Sequence, residues 1–256
     1  MRLAGSVAIV TGASSGIGEA TARELARRGA SLALAARRAE RLERLAAELE
    51  QATGRSHLVV PTDVTRRADV DRLVQATLKR FGRLDVLVNN AGTGAGDGML
   101  SSSDEAIQRL LETNLLAPVR AVQAAVPHLH GGVIVNVGSV AGEGPGYGLY
   151  AVSKVALRAY SQGLRAQLGV RGIAVVLVEP GFIRTELTMR QRVRLPMPGP
   201  EVVGRAIARA VERPRATVIV PGWYLPLVWA LRLTPGPLLD WGLRQAVRRL
   251  KAPAEE

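Results

Sequence analysis

The chain has 256 residues, 47% hydrophobic and 22% charged, a composition that suits one large α/β domain and argues against disorder. It has no cysteine, which excludes disulfides and thiolate metal sites, and its three histidines (His57, His128, His130) are too scattered for a metal site, so none is expected. The net charge of +12 is spread along the chain and only 4% of residues are aromatic, which reads as a solvated face plus phosphate contacts and not as a nucleic-acid groove.

Short β-branched runs alternate with long amphipathic stretches, the pattern of a parallel sheet covered by helices on both faces. The first run, Val7–Val10, is too short for a signal peptide, and no apolar stretch is long enough to span a bilayer, so a cytoplasmic protein is expected. The run ends in TGASSGIG, Thr11 to Gly18, followed by a helical pattern. Gly12, Gly16 and Gly18 permit a tight turn, and the amides of Ser14, Ser15 and Ile17 then lie where a helix opens toward a pyrophosphate. The spacing G-x-x-x-G-x-G differs from the commoner G-x-G-x-x-G, but its place after the first strand of a βαβ unit points to dinucleotide binding.

The second candidate strand, Ser31–Ala36, ends in Ala36-Arg37-Arg38, with Glu40 as the nearest acid. An acid at this point would hold the ribose 2′-hydroxyl of NAD, whereas arginine accommodates the 2′-phosphate of NADP. NADP is therefore expected over NAD. A helix over Glu40–Gln51, with Leu42, Leu45 and Leu49 on one face, leads to the strand His57–Pro61 and a helix over Ala68–Phe81. The fourth strand, Val86–Val88, runs into NNAG, Asn89 to Gly92, a loop suited to pass close to a ligand. Periodicity then predicts one helix over Glu105–Leu129, a strand over Val133–Val137 closing at Ser139, a helix over Val152–Leu168, and strands Ala174–Val178 and Thr217–Val220. Seven strands without a linker predict a single-domain, doubly wound Rossmann fold over residues 1–222, with ligands outside the carboxyl ends of the strands.

Only three of the 34 basic residues are lysine, and one of them, Lys154, follows Tyr150 by four positions in GLYAVSKVAL. That spacing places both side chains on one helix face. An ammonium about 4 Å from a phenol would lower the phenol pKa by about three units at an effective dielectric near 20. A compact ammonium also reaches ribose hydroxyls from a slim stem, where a planar guanidinium is bulkier.

TGASSGIG, NNAG, Asn114, Ser139, Tyr150 with Lys154 in YAVSK, and the later PGFIRT resemble the short-chain dehydrogenase/reductase family over roughly residues 5–222. The resemblance implies a seven-stranded parallel sheet, a homotetramer or homodimer, and an oxidoreductase that interconverts a carbonyl and a secondary alcohol. It implies that Tyr150 is the acid/base, that Ser139 fixes the substrate oxygen, and that Asn114 holds a water linking Lys154 to solvent. It further implies cofactor contacts from Asp63, Val64, Asn90, Ala91 and Gly92, and from Pro180, Gly181, Ile183 and Thr185 of the nicotinamide-side loop. NADP-preferring members often carry a basic residue where this chain has Ser15. Two other readings stand beside this one: a catalytically idle nucleotide-sensing protein on the same fold, and, as a narrower enzyme, a 3-oxoacyl thioester reductase. Arg190, Arg192 and Arg194 suit either a solvated run or an anionic substrate.

All three tryptophans, Trp223, Trp229 and Trp241, fall in the extension 223–256, where Leu239, Leu243, Ala246, Val247 and Leu250 form a helical stripe opposite Asp240, Arg244 and Arg248. The extension is expected to pack on the same domain, covering the cleft or a subunit interface. The alternative is peripheral contact with a membrane through a basic amphipathic helix. Either way a fairly apolar substrate is implied.

Overall fold

A computed structural model describes residues 1–94, 100–143, 148–189 and 197–251. Seven strands, β1 (Val7–Thr11), β2 (Ser31–Ala36), β3 (Leu58–Pro61), β4 (Leu84–Asn89), β5 (Leu129–Val137), β6 (Ala174–Pro180) and β7 (Thr217–Val220), form one sheet in the order 3-2-1-4-5-6-7. Every pairing is parallel, and Val10 lies opposite both Leu34 and Val88. The central strands are buried on both faces, which is why they read as unbroken apolar runs without alternation.

The helices are α1 (Gly16–Arg27), α2 (Ala39–Thr53), α3 (Arg67–Phe81), α4 (Asp104–Leu111), α5 (Ala117–Ala125), α6 (Gly148–Gly169) and α7 (Glu201–Glu212), then α8 (Leu225–Leu233) and α9 (Gly236–Lys251). Leu25, Leu42 and Ile207 bring α1, α2 and α7 onto one face of the sheet, while Leu73, Val122 and Leu164 bring α3, α5 and α6 onto the other. Helices α1 and α7 touch through Gly204, where a Cβ would stand 2.6 Å from the Ala20 carbonyl oxygen.

The single helix expected over Glu105–Leu129 is broken. A π-helical turn spans Glu112–Leu116, and the last turn, Val126–His128, is 3₁₀. Pro118 supplies a reason: with no N–H it cannot donate to the Asn114 carbonyl four residues back. Beyond β7 a short turn (Gly222–Tyr224) leads to α8 and α9. Tyr224 and Val228 face inward, whereas Trp223, Trp229 and Trp241 are 59%, 55% and 62% exposed. Among the described residues no helix is long and apolar enough to cross a membrane. Strand order reverses beside β1, so β1 and β4 part to opposite sides and leave a crevice at their carboxyl ends.

Candidate active site

The crevice is built by stitching the first glycine turn to the NNAG loop. The Thr11 hydroxyl accepts from the Asn90 and Ala91 amides at 3.0 and 3.1 Å and donates to the Val88 carbonyl. The Asn90 side chain donates back to the Thr11 and Gly12 carbonyls at 3.0 and 3.3 Å. So close a turn needs glycine: Gly12 has φ +68°, and a Cβ on Gly18 would lie 2.1 Å from the Gly12 oxygen. At the start of α1 the Ser15 side chain does not cap the helix; its hydroxyl accepts from Arg38 at 2.6 Å.

The cavity above this turn has a volume of about 600 Å³. It runs from Ser14, Ser15, Arg37 and Arg38 past Asp63 and Val64 to Ser139, Tyr150 and Lys154. Gly12, Gly16, Ile17, Asn90, Ala91 and Gly92 line it, and Pro180, Gly181, Ile183 and Thr185 close the far side. Of the residues expected at the site, Gly18 and Asn114 stand behind the wall. Arg190, Arg192 and Arg194 lie outside the described residues. Among the described residues, none beyond Thr188 lines the cavity.

The two basic residues ending β2 differ in setting. Arg37 lies exposed on the rim, while Arg38 donates to the Ser14 hydroxyl at 3.1 Å and pairs with Glu186 at 2.9 Å. Arg41, one turn into α2, also pairs with Glu186, at 2.5 Å. The hydrogen bonds from Arg41 and Arg38 hold the Glu186 carboxyl down at about 2. Asp63 accepts from the Thr65 amide and hydroxyl with one oxygen, which fixes its carboxylate on the rim.

Helix α6 carries Tyr150 and Lys154 on one face. The Lys154 ammonium is buried, donates to the Val137 carbonyl at 3.0 Å, and lies 5.6 Å from the centre of the Tyr150 ring. Tyr150 stands beside Ser139, whose hydroxyl accepts from the Ala141 amide at 3.1 Å. The expected lowering of the phenol is not found. Burial pushes Tyr150 above its usual value, with the Ser139 hydrogen bond pulling the other way, and burial pushes Lys154 down to about 8. In both groups desolvation disfavours the charged form.

Asn114 is buried inside the π turn. Its amide donates to the Thr93 carbonyl at 2.9 Å and to the Ser153 hydroxyl at 3.1 Å, and its oxygen accepts from the Thr93 amide at 2.8 Å. Both amide hydrogens are thus committed to holding the loop after Gly92 against α6. Little side-chain capacity remains for the expected water, which leaves the backbone carbonyl that Pro118 cannot claim.

Several supporting residues carried no signal in the sequence. Asn89 donates to Asn136, which donates to Ser161, a buried chain locking β4, β5 and α6. Behind Ser139, Glu143 pairs with Arg158 of α6 at 2.6 Å and Arg232 of α8 at 2.5 Å. Burial works against that carboxylate, but the Arg232 and Arg158 hydrogen bonds hold it below the usual range. Glu179, which precedes Pro180, is buried 3.5 Å from Arg232 with one oxygen unpartnered; burial and then Glu143 push it up to about 7. Tyr224 packs on Gly181, where a Cβ would meet its ring at 2.2 Å. Only the fold brings these residues together; of them the sequence marks Asn89, in NNAG, and Gly181, but not their partners.

The sequence model of the short-chain dehydrogenase family matches residues 6–195. The chain is 37% identical, over a 267-residue alignment covering 94% of it and 75% of the relative, to 11-beta-hydroxysteroid dehydrogenase 1A of Arabidopsis thaliana. A short-chain dehydrogenase from Sphingobium yanoikuyae, solved in complex with NADPH, is 33% identical with a TM-score of 0.79, covering 98% of each chain. A short-chain dehydrogenase/reductase from Burkholderia phymatum, in complex with NAD, is 26% identical with a TM-score of 0.83, covering 100% of this chain and 99% of that one. With the sheet order, the glycine turn and the match across most of its length agreeing, this chain belongs to the short-chain dehydrogenase family of oxidoreductases.

Proposed function

We propose that the protein is an NADP(H)-dependent reductase of carbonyl compounds, reversible toward secondary alcohols, with Tyr150 as its acid/base. The observation that carries this reading is one cavity with Ser139, Tyr150 and Lys154 at one end and Arg37 and Arg38 at the other, with no acid at Ala36. A dinucleotide fits the cavity, whose wall includes Gly12, Gly16 and Ile17 at the opening turn of α1, where backbone N–H groups can meet a pyrophosphate. Gly16, Ile17 and Ser14 would hold the pyrophosphate, Arg37 and Arg38 the 2′-phosphate, and Asp63 and Val64 the adenine. Pro180, Gly181, Ile183 and Thr185 would hold the nicotinamide end, and Lys154 a ribose. When bound, the cofactor supplies the hydride.

Ser139 donates to the substrate oxygen and keeps it beside the phenol. Tyr150 then gives its proton to that oxygen as negative charge develops there. A phenol raised by burial stays protonated at neutral pH, which suits the reducing direction; oxidation requires its conjugate base. Lys154 sits close enough to stabilise the phenolate left behind. A fairly apolar substrate fits the relatives named as hydroxysteroid dehydrogenases and the apolar Leu187 on the cavity wall. An idle nucleotide sensor would have no use for a phenol, a serine hydroxyl and a buried ammonium converging on one wall.

The test is a screen of ketones and alcohols followed by cofactor absorbance. Tyr150→Phe should lose turnover while NADPH affinity stays within a few-fold; residual activity above a tenth of wild type sinks the acid/base role. NADPH should bind about 10- to 150-fold tighter than NADH, the worth of a charge-assisted hydrogen bond. Equal affinity by titration refutes the cofactor assignment.

A further inference from the structure

Glu186 belongs to the loop after Pro180-Gly181, yet it reaches across the cavity mouth to the adenosine end. Its two carboxylate oxygens take one guanidinium each, Oε2 from Arg38 at 2.9 Å and Oε1 from Arg41 at 2.5 Å. Arg38 is held from its other side by Ser14 and Ser15, so a belt Ser14–Arg38–Glu186–Arg41 closes over the cavity. The same loop is internally tied, with Thr188 donating to the Ile183 carbonyl and accepting from the Thr185 amide at 3.0 Å. Its Leu187 lies near Gly94 on the substrate side. The pairs are about half exposed, the setting in which an ion pair is weak and readily exchanged.

A carboxylate bridging two guanidinium groups does what a phosphate does, with less charge and fewer acceptor oxygens. Resting on the NADP reading above, we propose that Glu186 is a carboxylate stand-in for the cofactor's 2′-phosphate, which displaces it from Arg38 and Arg41. Arg41 is then a third 2′-phosphate ligand that no acid-or-arginine rule at the end of β2 identifies. Cofactors lacking the phosphate leave the belt closed. Arrival of the phosphate frees Glu186 and with it the loop carrying Leu187, so the adenosine end governs the substrate end.

The experiment is equilibrium titration of NADPH, NADH and adenosine 2′-monophosphate against wild type, Glu186→Gln and Arg41→Ala, none of which alters a residue placed in the reaction chemistry. Removing the competing charge should tighten NADPH and adenosine 2′-monophosphate about tenfold, the worth of two weak pairs, and leave NADH within twofold. Arg41→Ala should weaken the two phosphorylated ligands and spare NADH. NADH affinity also reports that each variant is folded. Unchanged or weakened NADPH binding in Glu186→Gln overturns the inference, as does an equal gain for NADPH and NADH. The wild-type NADPH/NADH ratio tests the cofactor reading separately from the change in that ratio.

Discussion

At the scale of single residues, the buried acid that precedes Pro180 makes the clearest statement about pH. Glu179 faces Glu143, Arg158 and Arg232, and its carboxyl is pushed up to about 7. A group whose folded-state value is raised binds its proton more tightly in the folded chain. Its contribution is complete below the unfolded value of 4.5 and is lost as pH rises through about 7. A shift of this size corresponds to at most about 3 kcal/mol. Wild-type thermal stability should therefore fall between these values relative to Glu179→Gln, whose amide does not titrate. Parallel melting curves for the two proteins across that window would remove the argument. Tyr150 obeys the same logic with a different result: burial raises it, so the phenol is kept as an acid.

At the scale of elements, α8 is fastened to the back of the site. Arg232 joins Glu143, four residues after Ser139, while Tyr224 backs Gly181. Arg232→Ala leaves Glu143 one partner, and half-broken buried pairs are costly. Turnover should fall about tenfold with NADPH affinity unchanged, because the segment after Ser139 loosens and the glycine turn does not. Arg232→Lys should recover part of that loss; full wild-type turnover in Arg232→Ala would show that α8 is a passenger. None of this was legible in sequence, since Glu143, Glu179 and Arg232 are far apart and look like ordinary surface charges. The strands and the glycine, NNAG and YAVSK segments were legible because local pattern and strand-end position define them. The π turn was not: a 3.6-residue period runs straight through it, and only the mid-helix Asn114 pointed to an irregularity. Helix α7 carried no expectation in sequence either, despite Val203, Ile207 and Val211 at four-residue spacing.

At the scale of the whole molecule, the exposed tryptophans matter most. Helix α8, LPLVWALRL, is apolar almost all round, yet only Val228 is buried in it, and Leu227, Trp229 and Leu233 face outward. A helix of that kind is stable in water only if something covers it. The one cation of α8, Arg232, is spent inward on Glu143, so α8 offers no free charge of its own to a lipid headgroup, which favours a second copy of the chain over a membrane. Sedimentation should give a dimer or larger, and Trp229→Arg with Leu233→Arg should lower the mass while NADPH binding persists. A monomeric wild type that co-sediments with anionic vesicles in 0.5 M salt would reverse this preference.

The contacts made by α8 also bear on the order in which the enzyme is made. Residues from Gly222 onward leave the ribosome after all seven strands, yet Tyr224 packs on Gly181 of the cavity wall and Arg232 pairs with Glu143 behind Ser139. A nascent chain can therefore complete its sheet and its glycine turn while Glu143, behind Ser139, still has Arg158 as its one arginine partner. A chain ending at Pro221 is therefore expected to bind NADPH but to lose turnover, which titration and assay of that truncation would check.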